Sequence, residues 1–155
     1  MTELTEARGA RAAYRALAAA QKSGAGVPWY MRAVNRRLGR LIAAGAAQTR
    51  ATPDHMTAAS FVAFVLGAGL VVVAEPGAAM AVVSMLLLQL GFAFDSADGQ
   101  LARLRGSGSP AGEWLDHVVD SGRHLLFHLA ILIGLYRFTD VSDVVLLIPL
   151  GFALV

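Results

Sequence analysis

The sequence predicts an all-α, polytopic transmembrane helix bundle preceded by an amphipathic helix lying at the membrane surface. Composition is the first observation behind this prediction. Apolar residues make up 56% of the chain and charged residues only 15%, with mean hydropathy +0.57. An average soluble domain carries about 25% charged residues. The second observation is the recurrence of long apolar runs, at 58–74, 78–94 and within 113–136. Each approaches the ~20 residues that cross a ~30 Å hydrocarbon core. The third is charge placement: Arg32, Arg36, Arg37, Arg40 and Arg50 gather ahead of the first run.

Residues 1–23 read as an exposed, Ala-rich helix with charged positions and no continuous apolar core, so no cleavable signal peptide is evident. A break follows at "SGAGVP", and residues 1–28 are set apart as an N-terminal extension from the membrane domain 29–155. From 29 to 47 the periodicity is helical and two-faced. Tyr30, Val34, Leu38, Leu41 and Ile42 share one face, and Arg32, Arg36, Arg37 and Arg40 share the other. Such a basic amphipathic helix suits the headgroup plane, with Trp29 and Tyr30 as interface anchors.

"TPDHMT" (52–57) starts the first membrane helix, and "EPG" (75–77) is a tight turn before the second. A third helix is predicted over 113–136, then a polar loop "RFTDVSD". A fourth apolar run starts at Val144 and reaches the last residue, Val155, about twelve residues later, too short to span. The chain therefore reads as truncated inside a membrane helix. Arg103 and Arg105 join the earlier arginines in placing both basic stretches on the cytoplasmic side. Small and polar residues within the spans have packing explanations. Gly67 and Gly69 are expected at close helix contacts, and Gln89 in an interhelical hydrogen bond. His117, His124 and His128 form a stripe expected to serve packing or hydrogen bonds inside the bundle.

Chemistry concentrates in "DSADGQLARLRGSGSPAGEWLDHVVD" (95–120), which sets four aspartates beside apolar segments. At about 100° per residue, Asp95, Asp98, Gly99 and Ala102 share one third of a helix surface. On the next helix Gly112, Asp116, Asp120 and Arg123 share a face, and "RGSGSPAG" permits the reversal between them. Four carboxylates near hydrocarbon are very unfavourable unless a cation compensates them. Two divalent cations would do so. Oxygen ligands, in a chain without cysteine, suit Mg²⁺ or Mn²⁺. A pair of such ions is a clamp for phosphoryl transfer. The small residues leave room for a ligand near the backbone, and Arg103 offers a fixed positive charge for phosphate. Residue chemistry thus points to a dinuclear site acting on a phosphorylated, membrane-associated substrate. Arg123 is open between two roles, binding an acceptor's phosphate and neutralising Asp120. Paired helix-end charges with Arg103, Arg105 and Arg123 are the competing account of the acids, and the spacing disfavours it.

The pattern Asp95-x2-Asp98-Gly99-x2-Ala102-Arg103-x8-Gly112-x3-Asp116-x3-Asp120 resembles the complete signature of the CDP-alcohol phosphotransferase (phosphatidyltransferase) family, here of bacterial type. The resemblance implies a six-span bundle, cut here in its fourth span with the C-terminal spans missing. It implies transfer of a phosphoryl-alcohol unit from a CDP-alcohol, often CDP-diacylglycerol, to an acceptor hydroxyl with release of CMP. It also implies that Asp95, Asp98 and Asp116 ligate metal, and that Asp120 helps bind the second ion and acts as general base. Gly99, Ala102, Arg103, Ser109 and Gly112 would line the donor site, as would Asp54, His55, Met56 and Thr57 of "TPDHMT". Implied partners are a small alcohol such as inositol phosphate or glycerol phosphate, membrane lipid and a second copy of the chain, with no nucleic acid. The implied location is the plasma membrane, with the site facing the cytoplasm. Two other functions compete: a non-catalytic partner subunit, and a divalent-cation transporter, which would want acids deep in the bundle.

Overall fold

The computed structural model describes residues 9–21 and 26–154. Among them every regular element is helical. In chain order these are α1 (Ala10–Ala19), a π-helical turn (Met31–Asn35), α2 (Arg36–Ala46), α3 (Pro53–Val73), α4 (Ala78–Arg105), α5 (Pro110–Phe138) and α6 (Asp143–Ala153). Helices α3, α4 and α5 are long and apolar enough to cross a membrane, in line with the predicted fold class. The acidic stretch begins inside the second span's helix: α4 runs unbroken for 28 residues to Arg105, well beyond the ~20 that a bilayer needs. Helix α5 starts three residues earlier than the periodicity predicts.

The chain forms two compact units, Met1–Ser60 with Phe92–Trp114, and Phe61–Gly91 with Leu115–Val155. In the first unit α1 is not the exposed helix that its composition suggests. Ala13 and Leu17, one turn apart, are fully buried, in a cluster with Ala43, Ala44 and Ala46 of α2 and Ala97, Leu101 and Leu104 of α4. Short alanine side chains let the helix backbones approach, so a helix of low hydrophobicity still finds a partner. The remainder of the predicted 1–23 helix, residues 1–8 and 22–23, lies outside the described residues.

Helix α2 packs mainly through a stripe that neither predicted face describes, although Ile42 of the apolar face also joins the cluster. Its buried stripe is Asn35, Gly39, Ala43 and Ala46, while Trp29 and Leu41 stay exposed at 70% and 59%. Most of the apolar face stays exposed and the small-residue face meets α4. At Gly39 the approach is so close that a Cβ would sit 2.7 Å from that of Ser96. The π-helical turn adds a residue to one turn. That offsets the helical wheel by about 100° on either side of it, which a single uniform helix over 29–47 did not anticipate.

The second unit is cored by Phe64 and Ala68 of α3 and Ala130 of α5, with Val72 and Leu88 against them. Glycines set the helix spacing. A Cβ at Gly67 would come within 3.0 Å of Leu88 Cγ, and one at Gly134 within 3.0 Å of the Val71 carbonyl oxygen. The Ser84 hydroxyl donates to the Gly67 carbonyl at 2.7 Å. Gly69 corrects the sequence reading: no neighbour lies within 4 Å of its would-be Cβ, because it sits two residues and hence about 200° round the helix from Gly67. Two of the three histidines serve packing as expected. His124 Nε2 donates to the Phe152 carbonyl at 2.7 Å, and the His128 ring stacks on Phe152 at 5.6 Å.

Candidate active site

The polar half of the first unit is built from two helix starts and one helix end. Helix α4 ends at a glycine. Gly106 takes φ +61°, its N–H bonds the Arg103 carbonyl, and the Ser107 N–H bonds the Ala102 carbonyl at 3.0 Å. This paired closure needs a left-handed residue, which glycine supplies without a Cβ penalty. It turns the chain within a few residues into α5. There Ser109 caps the new helix: its hydroxyl accepts from the Gly112 N–H at 3.1 Å, and Pro110 occupies the first helical position.

Helix α3 starts the same way. Thr52 N–H donates to His55 Nδ1 at 3.0 Å, and the His55 N–H donates to the Thr52 hydroxyl at 3.3 Å. This reciprocal pair has a histidine in the place usually taken by Glu or Gln. It fixes the proton of neutral His55 on Nε2. Pro53 again takes the first helical position. The two starts are neighbours: a Cβ on Gly112 would lie 3.9 Å from Asp54 Oδ1. Helix N-termini present backbone N–H groups to anions.

Against these starts stands the acidic face of α4. Asp95 and Asp98, one turn apart, bring carboxylate oxygens within 4.8 Å of one another. Asp95 is half-buried and Asp98 is buried at 7% exposure. Asp98 is held from two sides. The buried Thr57 hydroxyl donates to its Oδ2 at 2.7 Å, and the Gly99 N–H donates to its Oδ1. Thr57 therefore orients a carboxylate, a role that its sequence position alone does not show. Arg103 is exposed and folds back over Gly99, with Nη1 3.4 Å from the position of a would-be Cβ. Ala102 is half-buried one turn from Asp98. Met56 turns the other way and packs into the hydrophobic cluster with Leu101 and Leu104.

Asp116 and Asp120 belong to the second unit, on the same continuous α5 that begins with Ser109 and Gly112. Asp116 follows Gly112 by one turn and is half-buried. Asp120 is half-exposed and ion-paired with Arg123, whose guanidinium is buried. Of the two roles open for Arg123, the structure displays the neutralising one.

Two functional supports escaped the sequence reading. Arg105 does not pair with the acids. Its guanidinium donates to the carbonyls of Ala46, Thr49 and Ala51, closing off the end of α2 and fixing the approach to Thr52. A basic residue at a helix end beside another helix's last carbonyls is the signal that was available. Gln100, inside the signature and almost fully buried, donates to the Arg36 carbonyl at 3.1 Å and to the Ser96 hydroxyl at 3.2 Å. It also accepts from Gln21 at 3.1 Å. No local signal marks it.

A polytopic helical bundle with paired carboxylates, a basic residue and two neighbouring helix starts at one polar end defines a membrane enzyme of phosphate-group transfer. Residues 50–155 match the family model of CDP-alcohol phosphatidyltransferase, and the chain belongs to that family. Its members transfer phosphatidyl groups from CDP-alcohols with divalent cations, in phospholipid biosynthesis. Comparison with curated proteins finds no match.

The donor set fits a hard divalent cation. Asp95 and Asp98 offer oxygen only and sit close enough to share an ion, and Asp98 is pre-oriented by Thr57.

Proposed function

We propose that the chain transfers a phosphatidyl group from CDP-diacylglycerol to the hydroxyl of a small polar alcohol, releasing CMP at the cytoplasmic face of the plasma membrane. The observation that carries this reading is the Asp95–Asp98 pair, with Asp98 buried and braced by Thr57, within the family's signature. Asp95, Asp98, Asp116 and Asp120 would together hold two Mg²⁺ or Mn²⁺ ions. When bound, these supply charge neutralisation of the pyrophosphate and stabilisation of the leaving CMP.

The protein's own groups do the rest. The helix starts at Thr52 and Ser109, with Asp54, His55, Gly99 and Arg103, bind and orient the donor nucleotide and phosphates. Gly99 and Gly112 leave the backbone approachable. Asp120 takes the proton of the acceptor hydroxyl as its oxygen attacks the lipid-bearing phosphorus and the bond to CMP breaks. Its ion pair with Arg123 directs it. Acyl chains remain in lipid while the headgroup enters the polar end. An acceptor bearing its own phosphate, such as inositol phosphate or glycerol phosphate, suits the basic surroundings. Assembly as a homodimer follows from the family resemblance, and cross-linking in membranes tests it.

The test is CMP release from CDP-diacylglycerol and Mn²⁺ in membranes holding the full gene product, with candidate alcohols screened one by one. Metal-dependent CMP with one alcohol, abolished by Asp120→Asn with donor binding retained, supports the reading. No CMP with any alcohol refutes it, and near wild-type turnover of Asp120→Asn refutes the base assignment.

A further inference from the structure

Helix α1 lies outside the family-matched residues 50–155, yet it is anchored directly to the signature helix. Ala13 and Leu17 are buried against α2 and the Ala97–Leu104 side of α4. At the end of α1 the Gln21 amide nitrogen donates to the Leu17 carbonyl at 2.8 Å and to Gln100 Oε1 at 3.1 Å. The Gln100 amide nitrogen in turn holds the Arg36 carbonyl and the Ser96 hydroxyl. Both amide nitrogens and the Gln100 oxygen are thereby bonded, and the four bonds join α1, α2 and α4 at one point. Tyr14 of α1 adds a second tie, its ring 5.2 Å from the Arg40 guanidinium carbon.

The position of Gln100 on α4 gives this junction its meaning. It follows Asp98 by two residues and Asp95 by five, so it points about 160° and 140° away from them around the helix axis. A bonded anchor on the face opposite the acids resists rotation of α4 while leaving the acidic face open. Gly39 closes the same face, since α2 lies too near Ser96 to let α4 roll without a clash. Rotation of α4 would also pull Asp98 off Thr57.

We propose that α1 is a positioning element of the metal-binding unit. Through Gln21 and Gln100 it sets the rotation of α4, and so the direction in which Asp95 and Asp98 face. Gln21 and Gln100 are positioning residues and touch neither donor nor metal. This rests on the proposed metal site but concerns a segment that the family assignment does not reach.

The experiment uses the full chain in lipid nanodiscs with Mn²⁺ alone, bound ion being read from the loss of the free-ion electron paramagnetic resonance signal. CMP release is measured in parallel. Gln21→Ala removes the single bond to Gln100, along with the local one to the Leu17 carbonyl, and is expected to weaken Mn²⁺ binding about 3- to 10-fold, the range for one buried hydrogen bond. Gln100→Ala is expected to weaken it further. The double variant should match Gln100→Ala, because both act on the same bond. Deleting residues 1–21 should weaken Mn²⁺ binding at least as much as Gln21→Ala. Unchanged or absent Mn²⁺ binding, or effects that simply add, overturns the proposal even if the variants melt at lower temperature. Absence of CMP release with these Mn²⁺ shifts intact counts against the transferase reading alone.

Discussion

Thr57→Val isolates what the hydroxyl of α3 does for the metal site. Valine keeps the branched shape, so the packing around residue 57 is preserved and only the hydroxyl is lost. That hydroxyl donates to Asp98 Oδ2 at 2.7 Å, with Thr57 and Asp98 both more than 90% buried. A hydrogen bond to a charged acceptor contributes about 1.5–3 kcal/mol, equivalent to about 10- to 150-fold in an equilibrium constant. Two effects oppose each other. A carboxylate with one donor fewer carries more charge to offer a cation, which favours binding. It also loses part of its fixed orientation, which disfavours binding. Loss of an outer partner to a metal ligand typically costs 10- to 100-fold in affinity, so orientation wins. The half-saturating Mn²⁺ concentration for CMP release should therefore rise about 10- to 100-fold, with much of kcat recovered at saturating metal. Direct Mn²⁺ binding should show the same shift. A half-saturation within twofold of wild type, in a variant that melts normally, refutes the idea that Thr57 orients a metal ligand.

Other substitutions probe the supports around the site. Arg105→Ala frees three carbonyls at Ala46, Thr49 and Ala51 and should raise the donor KM severalfold with a smaller fall in kcat. Arg105→Lys, which keeps the charge but not the fork, should recover part of the loss. Gly39→Ala gains up to ~1 kcal/mol of helix propensity, but its Cβ would meet Ser96 at 2.7 Å. It should be net destabilising by about 1–3 kcal/mol, read as a lower melting temperature in detergent. Gly69→Ala, whose Cβ meets nothing within 4 Å, should leave melting unchanged or raise it slightly. Gly106→Ala must hold φ +61°, so it should cost about 1–2 kcal/mol and weaken donor binding by loosening the turn into Ser109.

Much of the fold was legible because it is written in local patterns. The apolar lengths predict the three spans, and the glycines, prolines and hydroxyl residues at 52–53, 75–77 and 106–110 predict where helices stop and start. The acids were legible for the same reason: their i, i+3 and i, i+4 spacing places them on helix faces whatever else surrounds them. Gly67 and Gly69 mark the boundary of that legibility. They are alike in sequence, but only Gly67 meets another helix, because burial depends on which azimuth the partner occupies.

What the sequence determined by itself is the membrane-spanning helical class, the two acid-bearing helices and the signature that assigns the family. These depend on residues within a few turns of one another. Tertiary structure decided which faces pack. It buried the Ala13 and Leu17 face of a helix whose composition suits water, and it turned the small-residue face of α2 inward while leaving Trp29 and Leu41 exposed. It gave Thr57 to Asp98 across 41 positions, and Gln21 to Gln100 across 79. Such pairs arise when packing brings distant helices within hydrogen-bond reach, and a buried polar atom must then take whichever partner is there.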